Sequence, residues 1–496
     1  MSDADRRVVL AATILGSSMA FIDGSVVGVA LPAIQRELSA SVQGAQWIVN
    51  GYMLMLGALL LVGGAAGDRF GRRRVFALGV LLFTAASMAC GLASSTAILV
   101  ASRVVQGVGA ALLVPASLTL ITAAFDGAAR GRAIGTWAGF SALTTAFGPV
   151  LGGWLVDAWS WRAIFFLNVP VAAVVLFLLR RVPESAGGTE RVDWVGGALA
   201  TIGLGAVAWG LTGASDLGWA DGLVIGALAS GLLVLAVFLW WEHRAPAPMM
   251  PLVMFGSPAF SGANLMTFFL YFALSGALFF LPFNLIRLQG YSAAAAGAAF
   301  LPFTLIMGVL SRWSGGLIGR YPPRLLLTVG PIVAGAGFAL LAVPGIGGSF
   351  WLTFFPGLVV LGFGMAVSVA PLTTVVMGAV DARHTGAASG VNNAAARVGG
   401  MLAVALLGAV AVGVFGTDLG RRLDAIDAPP AVRRAMAQQV PRLAEADVPE
   451  GAPEDLQDDL RRALDAAFLR SFRVSMLIAA AAAATSGMCA ALTIRQ

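Results

Sequence analysis

Long apolar stretches separated by short polar segments recur along nearly the whole chain. A helix needs about 20 consecutive apolar residues to cross the hydrocarbon core of a bilayer. The stretches that approach this length are 8–31, 45–66, 75–94, 97–124, 132–156, 161–180, 194–213, 221–241, 259–283, 293–312, 325–345, 351–379, 387–415 and 472–493. The pattern predicts an all-α polytopic membrane protein with about 14 transmembrane helices.

The composition supports this prediction and excludes several other classes. Of the 496 residues 58% are hydrophobic and 11% charged, and the mean hydropathy is +0.87, which leaves too little charge to cover a soluble domain. The net charge of +6 does not indicate nucleic-acid binding, because many of the arginines lie in short loops between spans. Two cysteines and two histidines form no metal-ligand spacing, and the sequence lacks a phosphate-binding loop. We therefore expect a lipid-embedded protein without cofactors rather than a membrane enzyme or sensor.

The arginines also predict an orientation. With the N-terminus inside, short inner segments collect Arg69, Arg72, Arg73, Arg74, Arg130 and Arg132, among others. The short outer loops hold only Arg36, Arg162 and Arg287. By the positive-inside rule, both termini are expected in the cytoplasm, with the chain crossing the cytoplasmic (inner) membrane.

An internal repeat divides the chain. LPAIQREL at 31–38 resembles LPFNLIRL at 281–288, and GAAGDRFGRRR at 64–74 resembles GGLIGRYPPR at 315–324. The two offsets, about 250 residues, agree within one position. This predicts a six-helix half in 1–181, two additional helices in 182–257, and a second six-helix half in 258–496. Matched halves with a site between them are typical of secondary transporters.

The polar segment 416–471 interrupts the second half. An odd number of predicted spans precedes this segment, so with the N-terminus inside it is expected outside. Its arginines do not contradict this, because long loops are exempt from the positive-inside rule. Its apolar spacing indicates short amphipathic helices that form an external cap, and a flexible solvated loop is the alternative. A docking surface for an accessory efflux protein is a further role that stays open.

The loop GDRFGRRR at 67–74 carries the strongest local signal. Gly67 and Gly71 permit a tight turn, and Asp68 offers an acceptor to neighbouring arginines. The next inner loop, with Asp126 and Arg130, could supply a charged clamp that closes in one state and opens in another. The residues assigned to this switch are Gly67, Asp68, Arg69, Gly71, Arg72, Arg73 and Arg130.

These motifs resemble those of the major facilitator superfamily. GDRFGRRR resembles its loop signature between the second and third helices, and SRVVQGVGAALLVPA at 102–116 its fourth-helix motif. FGPVLGGWL at 147–155 is similar to its antiporter motif, which points to Gly148, Pro149, Gly152 and Gly153. FIDGSVVGVALP at 21–32 resembles the first-helix signature of the fourteen-helix drug:proton antiporters. The resemblance implies the major facilitator fold of two six-helix halves plus two additional transmembrane helices, and export in exchange for protons.

Asp23 is the carboxylate expected at membrane depth. A charge there is costly unless it is protonated, paired or hydrated. Water reaching it alternately from the two sides would let it take up a proton outside and release it inside. We therefore expect Asp23 to couple protons to transport, modulated by Arg103, with the proton gradient as the energy source. A carboxylate that only caps a helix break at Gly24 is the alternative.

The expected substrates are amphipathic, drug-like or toxic small molecules, because a wide apolar cavity with scattered amides and aromatic walls tolerates varied shapes. Candidate lining residues are Trp47, Asn50, Met53, Trp137, Phe140, Asn264, Tyr271, Phe272, Asn392 and Arg397. Dedicated export of a single metabolite or antibiotic is the alternative, as is a role as the inner-membrane component of a larger efflux complex.

Overall fold

A computed structural model describes residues 3–185, 192–381, 385–449 and 451–494, and within these ranges the secondary structure is helical, without strands. The helices are α1 (Asp3–Glu37), α2 (Val42–Phe70), α3 (Arg72–Gly91), α4 (Thr96–Ala124), α5 (Gly127–Ala158), α6 (Ala163–Phe166), α7 (Asn168–Leu179), α8 (Trp194–Leu217), α9 (Gly222–Arg244), α10 (Pro258–Phe283), α11 (Ala293–Ala298), α12 (Leu301–Gly315), α13 (Pro323–Leu341), α14 (Phe350–Gly378), α15 (Thr385–Ala425), α16 (Pro430–Ala437) and α17 (Gln457–Thr493).

The predicted number of spans is confirmed. Among the described residues, 13 helices are long and apolar enough to cross a membrane, and Ala163–Leu179 is a shorter apolar helix. Two predicted spans are broken: 161–180 divides into α6 and α7, and 293–312 into α11 and α12. The second break falls beside Pro302 in the first turn of α12, where the missing N–H group is tolerated.

The helices pack as two bundles joined by the additional pair. In the first bundle α2 and α3 pack against α4 and α1 against α5, and in the second bundle α10, α13 and α15 pack against α17 or one another. The additional helices α8 and α9 pair with each other, and α8 contacts α2 and α15. The even number of crossings places both termini at one end of the bundle. We call that end the terminal face and the opposite end the cap face.

The segment 416–471, for which short amphipathic helices forming a cap are predicted, also contains the ends of two longer helices. Helix α15 continues to Ala425 and α17 begins at Gln457, so the two ends of the segment extend the flanking transmembrane helices. The remainder, 426–456, contains α16 and short 3₁₀ turns. It touches both bundles, because Gln35 Nε2 donates to Arg442 O at 3.0 Å and Arg287 Nη2 donates to Ala446 O at 3.0 Å. The segment is therefore a folded cap and not a flexible loop.

Candidate functional site

Asp23 lies inside the first bundle and faces neither lipid nor water, with 1% of its surface exposed. Helix α4 presents Arg103 and Gln106, which lie three positions apart and so on the same face. Arg103 Nη1 forms an ion pair with Asp23 Oδ2, and Gln106 Nε2 donates to Asp23 Oδ1 at 2.8 Å. Each carboxylate oxygen thus has its own donor, which compensates a charge that apolar surroundings would otherwise destabilise.

The surroundings of Arg103 use its remaining bonding capacity. Its Nε donates to Ile48 O at 3.0 Å, and its Nη1 donates to Gln106 Oε1 at 2.7 Å. The guanidinium carbon lies 4.3 Å from the ring centroid of Tyr52, in cation–π geometry. Side chains from α1, α2 and α4 therefore form a closed polar cage. Sequence reasoning predicted the two charged members but assigned no role to Gln106 or Tyr52. The sequence alone does not reveal which residue an amide or phenol within an apolar stretch will contact.

The antiporter motif closes the cap face. Gly148 and Gly152 lie against Ser25 and Val26 of α1, so closely that a Cβ at either glycine would overlap these side chains. Gly153 meets the backbone carbonyl of Ala293, and Gly297 meets that of Pro149, which brings α5 and α11 of opposite bundles into backbone contact. One face of the motif thus packs within the first bundle, and the other joins the two bundles.

Asp157, near the end of α5, strengthens the same junction. Its carboxylate accepts from Ala293 N at 3.1 Å and from Ala294 N at 2.7 Å, so it caps α11 across the bundle boundary. Toward the terminal face, α5 exposes Phe140 (49%) and Leu143 (52%). The contact between the bundles along α5 is therefore tightest at the cap face.

The loop 67–74 is fastened by a residue that sequence reasoning missed. Glu184, which follows α7, accepts from Arg73 N at 3.0 Å and Arg74 N at 3.2 Å, and so caps the first turn of α3. Gly71 has φ +103°, and a Cβ there would lie 2.8 Å from Glu184 Oε1. A glycine is therefore required both by the backbone and by the approach of Glu184.

The charged clamp between the two loops of the terminal face is not formed in this structure. Asp68 Oδ1 pairs with Arg72 at 2.8 Å, and Arg130 Nη2 pairs with Asp126 Oδ1 at 3.5 Å. Each pair joins residues four positions apart in the sequence and so lies within one of the two loops. The hydrogen bonds that join this loop to a separate segment go instead to residues 182–185 after α7, where Val182 O, Glu184 and Ser185 O accept them.

Two of the candidate cavity residues lie in an amide network between α10 and α15. Asn392 Nδ2 donates to Thr267 Oγ1 at 2.6 Å and to Asn264 Oδ1 at 3.2 Å. Farther along α15, Arg397 lies between the bundles, with its Cβ 3.1 Å from where a Cβ on Gly57 of α2 would lie. Within the described chain Arg397 has no hydrogen-bond or ion-pair partner, although it lies inside the long span Ala387–Ala425. An intramembrane cation without a partner is a candidate binding group.

The other candidate cavity residues are distributed over several places. Met53 lies 3.8 Å from the Cβ position of Gly400, beside the boundary between the bundles. Trp47 Nε1 donates to Thr212 Oγ1 of α8 and Trp137 Nε1 to Ser17 Oγ, each at 3.0 Å. Trp47 therefore anchors an additional helix. Tyr271 is half-buried and Phe272 is 8% exposed.

Asn50 is unusual among them. It is fully buried, and neither its amide nitrogen nor its amide oxygen has a partner. It shares a face of α2 with Met53 and Gly57, at helical spacings of three and four, and this face packs against α15. Unpaired buried amides are costly, so Asn50 is a second candidate for contact with a bound molecule.

Comparisons with known proteins agree with this geometry. The family model described as Major Facilitator Superfamily matches residues 13–404. The chain is 35% identical over 432 residues to multidrug resistance protein Stp of Mycobacterium tuberculosis, covering 86% of this chain and 80% of that protein. It is 37% identical over 407 residues to the tetracenomycin C resistance and export protein of Streptomyces glaucescens, covering 80% and 74%. A bacterial homologue of the lysosomal transporter Spinster, inward-facing and unoccupied, shares the fold with a TM-score of 0.69, 19% identity and coverage of 99% and 98%.

Proposed function

Because this chain belongs to the major facilitator superfamily and is a transporter rather than an enzyme, we propose that it exports amphipathic, drug-like or toxic small molecules in exchange for protons. Its relatives confer resistance to several drugs or to single antibiotics, as their names state. The expected location is the cytoplasmic membrane, with the terminal face in the cytoplasm. The partners are then the substrate, protons and the surrounding lipid.

The observation that carries proton coupling is the closed cage around Asp23. A proton and the Arg103 guanidinium compete for the same carboxylate oxygen, so Asp23 accepts a proton when the ion pair opens. Helix α1 also packs against α5, the helix that makes the junction with α11 at the cap face. Movement of α5 as that junction opens is therefore transmitted to the helix that carries Asp23.

The proton gradient is a sufficient energy source. One charge moving through about 100 mV releases roughly 2.3 kcal/mol, and a tenfold concentration gradient costs about 1.4 kcal/mol. One proton exchanged for a neutral solute therefore supports a gradient of roughly fiftyfold per 100 mV. No cofactor is needed in this scheme.

Substrates are expected to bind between the bundles, beside Arg397 and Asn50. Both side chains offer unused hydrogen-bond donors, and Met53 adds an adaptable apolar surface. Asp23 is already paired with Arg103 and Gln106, so it is poorly suited to attract a cationic substrate. A hydrogen-bond acceptor or anionic group on the substrate fits this site best.

Dedicated export of one antibiotic is the second candidate function. It is favoured by relatives named for single compounds, tetracenomycin C and methylenomycin A. Growth of cells that express the protein, tested against a panel of unrelated drugs, separates the two candidates. Resistance to one compound alone contradicts broad specificity.

The coupling hypothesis is tested with purified protein in liposomes that enclose a pH-sensitive dye. Addition of a transported drug should release protons from the wild type, and Asp23→Asn should abolish the release while drug binding persists. Asp221→Asn, which alters an exposed helix cap of α9, is the matched control and should behave as the wild type. Proton-coupled transport by Asp23→Asn at the wild-type rate would exclude Asp23 as the coupling residue.

A further inference from the structure

Two carboxyl groups meet at the terminal ends of the additional helices, apart from the Asp23 cage. Asp193 precedes the first turn of α8, and Glu242 lies in the last turn of α9. Only 9% of Asp193 and 2% of Glu242 is exposed. Two buried carboxylates in contact cannot both carry a charge without a large energetic cost.

Each carboxyl group has one satisfied oxygen and one without a partner. Asp193 Oδ1 accepts from Gly196 N at 2.8 Å and from Trp241 Nε1 at 3.0 Å, and Glu242 Oε2 accepts from Met250 N at 2.9 Å. Asp193 Oδ2 and Glu242 Oε1 are buried, and no residue in the described part of the chain donates a hydrogen bond to either oxygen. Both lie within 2.6 Å of the point where a Cβ on Gly196 would sit, so they face the same small space.

None of the described residues that pack around this space places a positively charged side chain in it. Against α8, helix α2 presents the apolar side chains of Leu59 and Val62 at Gly197, and the segment before α10 presents Met249 and Met250 to the same packing cluster. His243 and Arg244, the next residues of α9, are exposed, and Arg244 stacks over Trp240 at 4.9 Å. Among the described residues, therefore, no positive charge pairs with these two carboxyl groups, whereas a single proton satisfies both oxygens.

We propose that Asp193 and Glu242 form a second proton-binding site, in which one proton is held between Asp193 Oδ2 and Glu242 Oε1. The bound proton joins the terminal ends of α8 and α9 and, through Met250, the segment that leads into α10. Release of the proton leaves two like charges in a buried space and drives the two helix ends apart. The site is independent of the drug-coupling role proposed for Asp23.

Infrared difference spectroscopy of the purified protein in lipid vesicles tests the proposal. Near neutral pH the wild type should show the C=O band of a protonated carboxylic acid that shifts in heavy water. Glu242→Gln and Asp193→Asn should each abolish this band, because each amide supplies the missing hydrogen to the remaining carboxylate. Asp221→Asn, at the opposite end of α9, should leave the band in place.

A shared proton predicts that either single variant removes the whole signal. If the band survives one of the two, it belongs to an independent acid and the proposal is wrong. Asp23→Asn should keep this band, so loss of drug-coupled proton release in that variant is distinguishable from failure at the second site. If Glu242→Gln does not insert into the membrane, Asp193→Asn decides the question, because it keeps the acceptor for Gly196 N and Trp241.

Discussion

The two bundles differ in how they accommodate a charge between the ends of their membrane helices. In the first, Asp23 and Arg103 neutralise each other. Gln106 donates a further hydrogen bond to Asp23, and the Ile48 carbonyl accepts one from Arg103. In the second, the position that the 250-residue offset matches to Asp23 is Ala273, which is fully buried. The charge there is Arg397, which lacks a partner among the described residues. The difference indicates separate functions for the two bundles. The first contains the group proposed to accept a proton, and the second contains the group proposed to bind the substrate.

The largest expected effect is that of Arg103→Ala. It leaves the Asp23 carboxylate buried and unpaired, which should cost about 3–5 kcal/mol of stability. The midpoint of thermal unfolding in detergent should fall accordingly. Combining it with Asp23→Ala should recover part of the loss, since no isolated charge then remains. Equal stability of the single variant and the wild type would show that the cage is not a stabilising unit.

The next effect concerns the junction between the bundles. Gly153→Ala drives a methyl group into the Ala293 carbonyl and should cost about 1–3 kcal/mol in the state closed at the cap face. Transport in liposomes should fall because that state is disfavoured. Gly139→Ala is the control on the same helix, because a Cβ there meets nothing within 4 Å. Similar transport rates for the two variants would show that the close contact between α5 and α11 is not required for transport.

Glu184→Gln should have a smaller effect, about 0.5–2 kcal/mol, because it weakens the cap on α3. Asp126→Asn is its control, since Asp126 precedes α5 but makes no capping bond with its side chain. Thermal unfolding of the two variants measures the difference. A loss confined to Asp126→Asn would contradict the assignment of Glu184 as the residue that fastens the loop 67–74.

The smallest change in stability is expected for Arg397→Ala, within about 0.5 kcal/mol, since no pairing is lost. Its effect should appear in transport, where KM for a substrate with an acceptor group should rise about tenfold. Arg397→Lys should restore part of the affinity because it keeps the charge. An unchanged KM in Arg397→Ala would show that Arg397 does not bind the substrate. The proposed difference in function between the two bundles would then be wrong.

Sequence periodicity was sufficient for the helices, because a bilayer forces each apolar stretch of about 20 residues into a helix. It was also sufficient to single out Asp23 and Arg103, since charges in an apolar run stand out. It could not predict Glu184 or Asp157, because their function depends on a helix start that is distant in sequence. It did not predict that α15 and α17 extend into 416–471, because hydropathy does not distinguish polar residues that lengthen a membrane helix beyond the bilayer from a separate polar segment.

The sequence by itself determined the class of protein, the number of crossings and the charged residues that must be compensated, all of which follow from the cost of polar groups in hydrocarbon. Only the tertiary structure decided the partners. Among the described residues, it paired Asp23 with an arginine, left Arg397 without a partner, and placed Asp193 opposite Glu242. Partnership depends on which helices lie side by side, and that is set by small-residue contacts spread over several helices rather than by any one stretch of chain.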